Sequence, residues 1–244
     1  MFLLLILMIP TAFLYICSMK KLEFVDTADG SKTLFHEEVG EHYHSKHGAK
    51  QESIHVFLQA GLQFYLNKEK TNKASILEIG FGTGLNYLMT ADWAVKENIT
   101  VDYVGIEAYP LDPNLLKQSG YDQYVDPVIW SQFCSNYSEA FNSPAILHPT
   151  ITLNIAHQKL LQFQTTKKFD VVYFDAFAEI HQPEMWTIES LSHIRQFLNP
   201  GAFFVTYAIT GNLKRAMKSL GFSIEKAPGA PGKREMLRAT LLDS

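Results

Sequence analysis

At 244 residues, 47% of them hydrophobic and 19% charged, the chain is too apolar to be disordered and long enough to bury a core in one α/β domain. Its two cysteines, Cys17 and Cys134, have neither disulfide nor metal-ligand spacing, which fits a reducing compartment. The net charge of −4 argues against a general polyanion binder, but residues 191–240 hold eight Lys/Arg against only Glu225 and Glu235. A local excess of that kind can attract phosphate, and a solvated basic surface explains it equally well.

Residues 2–17 form an apolar run broken by Pro10 and Thr11. The run is shorter than the roughly 20 residues of a bilayer span, and no basic region precedes it as in a secretory signal. Lys20 and Lys21 follow it, so an uncleaved anchor is one reading. Tyr15 and Ile16 are too large for a lipoprotein site at Cys17. The preferred reading takes residues 1–18 as an over-extended gene start and 19–244 as the domain. A chain beginning at Met19 is then expected to be soluble and fully active.

Within 19–70, an N-terminal extension, the turn signals Asp29-Gly30 and Gly40 separate short β-branched runs and predict one or two hairpins. Ile54, Phe57, Leu58, Gly61, Leu62 and Tyr65 then recur at helical spacing over 50–67. Apolar runs at 74–79, 100–106, 151–156, 169–175 and 202–208 read as buried strands. Helical patterns at 85–95, 112–141, 187–197 and 212–220 alternate with them, and 222–226 with 235–241 read as closing antiparallel strands. No internal repeat is present. The expected fold is Rossmann-like α/β: a mostly parallel seven-stranded sheet, helices on both faces and a β-rich N-terminal extension.

The strand at 74–79 ends in an acid, Glu78, and runs into Gly80, Gly82 and Gly84 before a helix that opens with Leu85 and Asn86. Glycines allow a sharp turn and bring backbone close to a ligand, and the carboxyl end of the first strand is where open α/β sheets bind nucleotides. The spacing is E-x-G-x-G-x-G, not the G-x-G-x-x-G of pyrophosphate sites. It fits S-adenosylmethionine, which has no phosphate and carries a cationic amine and sulfonium that an acid complements. Glu107, at the end of the second strand, is placed to accept both ribose hydroxyls. Ala156-His157 follows the third strand, making His157 a candidate adenine contact, with a core or surface histidine as the plain alternative.

The fourth apolar strand delivers Asp175 to the same crevice, followed by Ala176 and Phe177. Methyl transfer to an amine needs an exposed nitrogen lone pair, whereas a free alkylamine is mostly protonated near neutral pH. A carboxylate at that point can accept the proton and stabilise charge developing on nitrogen. Phe177 offers an aromatic wall for a base. The structural alternative for Asp175 is a helix N-cap after the strand. The histidines His36, His42, His44, His47 and His55 lack an accompanying carboxylate or cysteine set, so no metal is expected.

With these segments placed, the chain resembles the methyltransferase half of the bifunctional tRNA-modification enzyme MnmC and its stand-alone relatives, MnmD. The matching runs are EIGFGTGLNYL from Glu78, FDAFAEIHQPEMW from Phe174 and PGKREML from Pro231, with weaker matches spread over residues 22–241. The first run is generic to class I methyltransferases; the other two are specific. The resemblance implies S-adenosylmethionine-dependent N-methylation of 5-aminomethyl(-2-thio)uridine at the tRNA wobble position, in the cytoplasm. It further implies Asp175 facing the substrate amine. Lys233 and Arg234 are candidates to meet tRNA phosphate. No FAD domain and no stable protein partner are expected, and no membrane unless residues 1–18 are retained. Two rivals remain. One is another amine methyltransferase or an aminopropyltransferase, which would need an acidic polyamine pocket. The other is a membrane-anchored, non-catalytic Rossmann-like binding protein, which would bind cofactor weakly or not at all.

Overall fold

The computed structural model describes residues 22–242, so the apolar run at 1–18 and Cys17 lie outside the described residues. The chain opens with a small antiparallel sheet of β1 (Leu22–Asp26), β2 (Lys32–His36) and β3 (Glu41–His42), the expected β-rich extension. A helical rod follows: α1 (Ala49–Glu52), a π-helical stretch (Ser53–Gln63) and α2 (Phe64–Glu69). The sequence predicts one ordinary amphipathic helix there. Side-chain periodicity marks the buried face but does not distinguish α from π winding.

The α/β unit comprises β4 (Lys73–Ile79), α3 (Leu85–Lys96), β5 (Thr100–Glu107), α4 (Pro113–Leu116), α5 (Pro127–Asn136), β6 (Ala145–His148), β7 (Ile151–His157) and β8 (Phe169–Phe174). It continues with α6 (Ile188–Arg195), β9 (Leu198–Thr206), α7 (Gly211–Ser219), β10 (Phe222–Pro228) and β11 (Glu235–Leu241). The strand order is β10-β11-β9-β8-β4-β5-β7-β6. The central strands β9, β8, β4, β5 and β7 are parallel; β11 runs antiparallel between β9 and β10. The sheet therefore has eight strands where seven are expected. The addition is β6, four residues paired antiparallel to β7 at the sheet edge. So short a run after Pro144 has too few alternations to announce a strand.

Both faces of the sheet are covered, and the alternation along each strand shows it. Ile76, Val171 and Tyr173 point into one core with Val56, Phe57, Leu88 and Phe133. Their neighbours Leu77, Val172 and Phe174 point into a second with Leu191, Ile194, Leu213 and Met217. The rod lies directly on the first face because Gly61 has no side chain. A Cβ there would stand 3.0 Å from both Tyr173 and Val205. Among the described residues no helix is long and apolar enough to cross a membrane.

Chain connectivity reverses at β4: β5 and β7 lie on one side, β8 and β9 on the other. That switch point leaves a crevice above the carboxyl ends of β4, β5 and β8, where ligands of open α/β sheets bind.

Candidate active site

The turn after β4 is fastened to the neighbouring strand ends. Gly80 and Phe81 donate backbone N–H bonds to the Ile106 carbonyl (3.1 and 3.2 Å), and Asp175 donates its backbone N–H to Ile79 (2.9 Å). Gly80, Gly82 and Gly84 all have positive φ. A Cβ on Gly82 would lie 2.8 Å from the Tyr43 ring, so the turn is also roofed by the N-terminal extension.

Glu107, at the end of β5, accepts from the backbone N–H groups of Gly82 and Tyr109 (2.8 Å each). The carboxylate therefore faces the glycine turn, as a ribose ligand requires. His157 is in register beside Glu107 on β7; it is exposed and lies edge-on to Phe141 at 6.1 Å.

Glu78 differs from a ligand-facing acid. It is 0% exposed, and its oxygens accept from Asn86 Nδ2 and from the Tyr103 hydroxyl (2.8 Å each). Burial holds its carboxyl well above the ordinary range, and the Asn86 and Tyr103 hydrogen bonds oppose that shift while the Asp175 charge adds to it. Its direct work is to hold Asn86. The same Asn86 amide nitrogen donates to Asp175 Oδ2 at 2.7 Å, so one side chain spans both carboxyls, while its Oδ1 is buried without a hydrogen-bond partner.

Asp175 is not a helix cap. The next α-helix begins at Ile188 and is capped by Thr187, whose hydroxyl accepts from the Ser190 N–H. Instead the Asp175 side chain, 7% exposed, lies 3.6 Å from His44 Nε2. His44 lines a cleft of about 250 Å³ together with His42, Tyr43, Glu52, Phe177, Tyr207 and Lys233 among others. Burial, first, and the neighbouring Glu52 charge raise the Asp175 carboxyl well above the ordinary range; Asn86 and Lys233 pull the other way. The segment after β8 is pinned by three bonds. Ala178 N–H donates to Glu41 (2.8 Å), the Tyr207 hydroxyl to the Ala176 carbonyl (2.9 Å) and the Trp186 indole to the Phe177 carbonyl (2.8 Å). Phe177 stands edge-on to Tyr43 at 5.2 Å and to His36 at 6.1 Å.

The basic C-terminal segment is partly spent on the fold. Arg238 is buried, paired with Glu225 and stacked on Phe64; Lys226 pairs with Glu235. Lys233 pairs with Glu52 (2.7 Å) and sits 3.9 Å above the Tyr207 ring. That places Lys233 inside the cleft, while Arg234 beside it is exposed. His44, Glu41, Glu52, Tyr103 and Tyr207 were not singled out by sequence as site residues. No local motif distinguishes them, because their partners lie far along the chain. Among the described residues no group of three or more His, Cys, Asp or Glu is arranged to hold a metal ion.

S-adenosylmethionine fits this crevice on three counts: the turn brings bare backbone to it, Glu107 faces the turn, and Asn86 keeps an unused buried acceptor beside two carboxyls. A Rossmann-like sheet with this turn at its switch point defines a class I S-adenosylmethionine-dependent methyltransferase. A family described as S-adenosyl-L-methionine-dependent methyltransferase matches residues 129–242. The tRNA 5-methylaminomethyl-2-thiouridine biosynthesis bifunctional protein MnmC of Magnetococcus marinus is 30% identical over 82% of this chain and 31% of that protein. The MnmC of Acidovorax sp. is 29% identical over 81% of this chain and 32% of its own length. The crystal structure of MNMC2 from Aquifex aeolicus matches with a TM-score of 0.72 at 26% identity, covering 90% of this chain and 70% of that one. The chain is similar to the methyltransferase part of MnmC proteins. It spans about a third of the length of the curated relatives it matches.

Proposed function

We propose that the chain methylates the aminomethyl nitrogen of 5-aminomethyl(-2-thio)uridine in tRNA. The carrying observation is the position of Asp175. It is tied through Asn86 to the glycine-turn side of the crevice and lies 3.6 Å from His44, which with the adjoining Ala176 and Phe177 lines a separate, partly aromatic cleft. The names of the MnmC relatives, which specify 5-methylaminomethyl-2-thiouridine biosynthesis, support the choice of amine.

In this reading the base enters the cleft beside Phe177 and Tyr43, and its ammonium group meets Asp175. The raised pKa makes Asp175 a better proton acceptor than an ordinary aspartate, so it takes a proton and leaves a neutral amine. When bound, S-adenosylmethionine supplies the methyl carbon and keeps the S–C electron pair as a neutral thioether. The nitrogen lone pair forms the new N–C bond, and the positive charge passes from the sulfonium to the methylated nitrogen, which carries it as a secondary ammonium. Asn86 keeps the Asp175 carboxyl aimed; Glu78 keeps Asn86 aimed. Nucleoside mass spectrometry of tRNA from cells lacking the gene tests this: accumulated aminomethyluridine is expected. An unchanged nucleoside profile, together with no transfer to aminomethyl-bearing tRNA by the pure protein, would discard the reading.

Lys233 and Arg234 separate in this arrangement. Arg234→Ala should weaken tRNA binding by a loss that shrinks between about 50 and 200 mM salt, since it removes an exposed cation. Lys233→Ala should raise the KM for tRNA at every salt concentration, because its pairing with Glu52 inside the cleft is little screened. Cofactor affinity, read by calorimetry, should stay unchanged in both. Equal loss of cofactor affinity would show that the segment closes the cofactor crevice instead.

A further inference from the structure

His44 is the cleft residue that nothing so far explains. Its side chain is 5% exposed, and neither ring nitrogen has a hydrogen-bond partner. Buried polar groups are nearly always satisfied, so a doubly orphaned imidazole marks a place built for something else. The ring is not loose. The His44 backbone N–H donates to Thr33 Oγ1 (2.9 Å) and its carbonyl accepts from the same hydroxyl (3.2 Å), which locks the residue onto β2. Nor does Glu52 satisfy it: its oxygens accept from Lys233 and the Ser45 N–H, not from the imidazole. Burial holds the imidazole down to about 4, so it is neutral near pH 7 and its 3.6 Å approach to Asp175 is not an ion pair.

We infer that His44 Nε2 and an Asp175 carboxyl oxygen are paired acceptors for the two N–H groups of a primary amine, and that His44 thereby limits the site to one methyl per nitrogen. The inference rests on the proposed amine methylation. Two acceptors 3.6 Å apart are too far to bond each other and close enough for a single nitrogen to bridge at ordinary hydrogen-bond lengths. With the imidazole proton on Nδ1, Nε2 offers its lone pair to one N–H while Asp175 receives the other. The third direction on nitrogen, its lone pair, is then fixed toward the methyl donor.

The product forms as a secondary ammonium and, once a proton has left it, is a secondary amine with one N–H. For a second transfer its lone pair must again face the donor, which would press the new methyl group against one of the two acceptors. That acceptor would lose its partner in a buried place, so the geometry that orients the primary amine rejects the secondary one. No separate steric gate is needed.

The test uses the full chain with tRNA bearing 5-aminomethyluridine, saturating S-adenosylmethionine and nucleoside mass spectrometry of the products. Wild type should give the monomethyl nucleoside alone. It should also leave tRNA that already carries the monomethyl group unchanged. H44F, which keeps a ring of similar size without acceptors, should slow the first transfer about tenfold, the scale of one lost hydrogen bond. On long incubation it should form dimethyl nucleoside. H44Q restores an acceptor and should return to monomethyl product only. The inference is overturned if H44F matches wild type in rate and product, if H44F and H44Q dimethylate alike, or if wild type methylates the monomethylated tRNA readily. That last assay decides by itself should H44F fail to fold or be inactive. Wild type that transfers no methyl group to aminomethyl-tRNA would instead sink the functional reading and take this inference with it.

Discussion

Asp175→Asn should lower methyl transfer by at least about 10²-fold, the usual scale for a positioned acid–base group, while leaving the protein folded and able to bind cofactor. Asparagine has the same shape and can still accept from Asn86, so the strand end and the link to Glu78 survive. The same substitution should not reduce stability, and its sign follows from the raised pKa. The folded state binds the Asp175 proton more tightly than the unfolded chain does. Its favourable contribution is therefore complete below the unfolded pKa and disappears as pH rises through the folded value. Above the unfolded pKa the wild type loses that contribution progressively, whereas asparagine has no proton to lose. Melting temperatures from about pH 5 to 8 should show the variant gaining on wild type as pH rises. The two rate profiles should differ in the same range. Wild-type transfer falls as acid protonates Asp175, whereas the variant recovers only in alkali, where solvent supplies neutral amine. A variant rate near wild type would remove Asp175 from the mechanism. A folded variant that no longer binds cofactor would move it to the other side of the crevice.

Features carried by local sequence were legible: the glycine turn, the strand-end carboxylates, and an alternation deep enough to give the parallel sheet and its two covered faces. Asp175 stands out as a candidate for the same reason, because an apolar strand ending in an acid is a local pattern. What stayed hidden depends on distant partners. Glu78 reads as a cofactor-facing acid because it adjoins the glycines, yet Tyr103 lies 25 residues on and claims one of its oxygens. Lys233 reads as a phosphate contact, yet Glu52, 181 residues earlier, draws it into the cleft. His44 sits among histidines of a polar segment, and only folding leaves it buried and unpartnered while its neighbours are placed differently. The fourth-strand crevice and the N-terminal extension thus make one site from segments whose relation no spacing rule expresses.

Gly80→Ala should damage the site from the cofactor side, and Gly201→Ala supplies its control. Both glycines have positive φ, +85° and +76°, where a Cβ costs about 1–2 kcal/mol. At Gly201 an added Cβ meets nothing within 4 Å, so that backbone penalty should be the whole effect. At Gly80 it would stand 2.5 Å from the Asp175 carbonyl oxygen, a backbone atom that cannot swing aside. The ends of β4 and β8 must then part, although the Asp175 N–H is bonded to Ile79 across the same gap. Gly80→Ala should therefore lose at least ~1 kcal/mol more than Gly201→Ala, within the usual cost of strain at a special backbone position. The displaced Asp175 should also lose its aim between Asn86 and His44. Misplacement on the scale of an ångström can cost about 10²-fold in rate, so transfer should fall that far even at saturating cofactor. Denaturant melts and single-turnover rates on the two variants measure these separately. Equal stability losses with transfer preserved in Gly80→Ala would mean that the strand ends yield freely and that Asp175 is not positioned through the glycine turn.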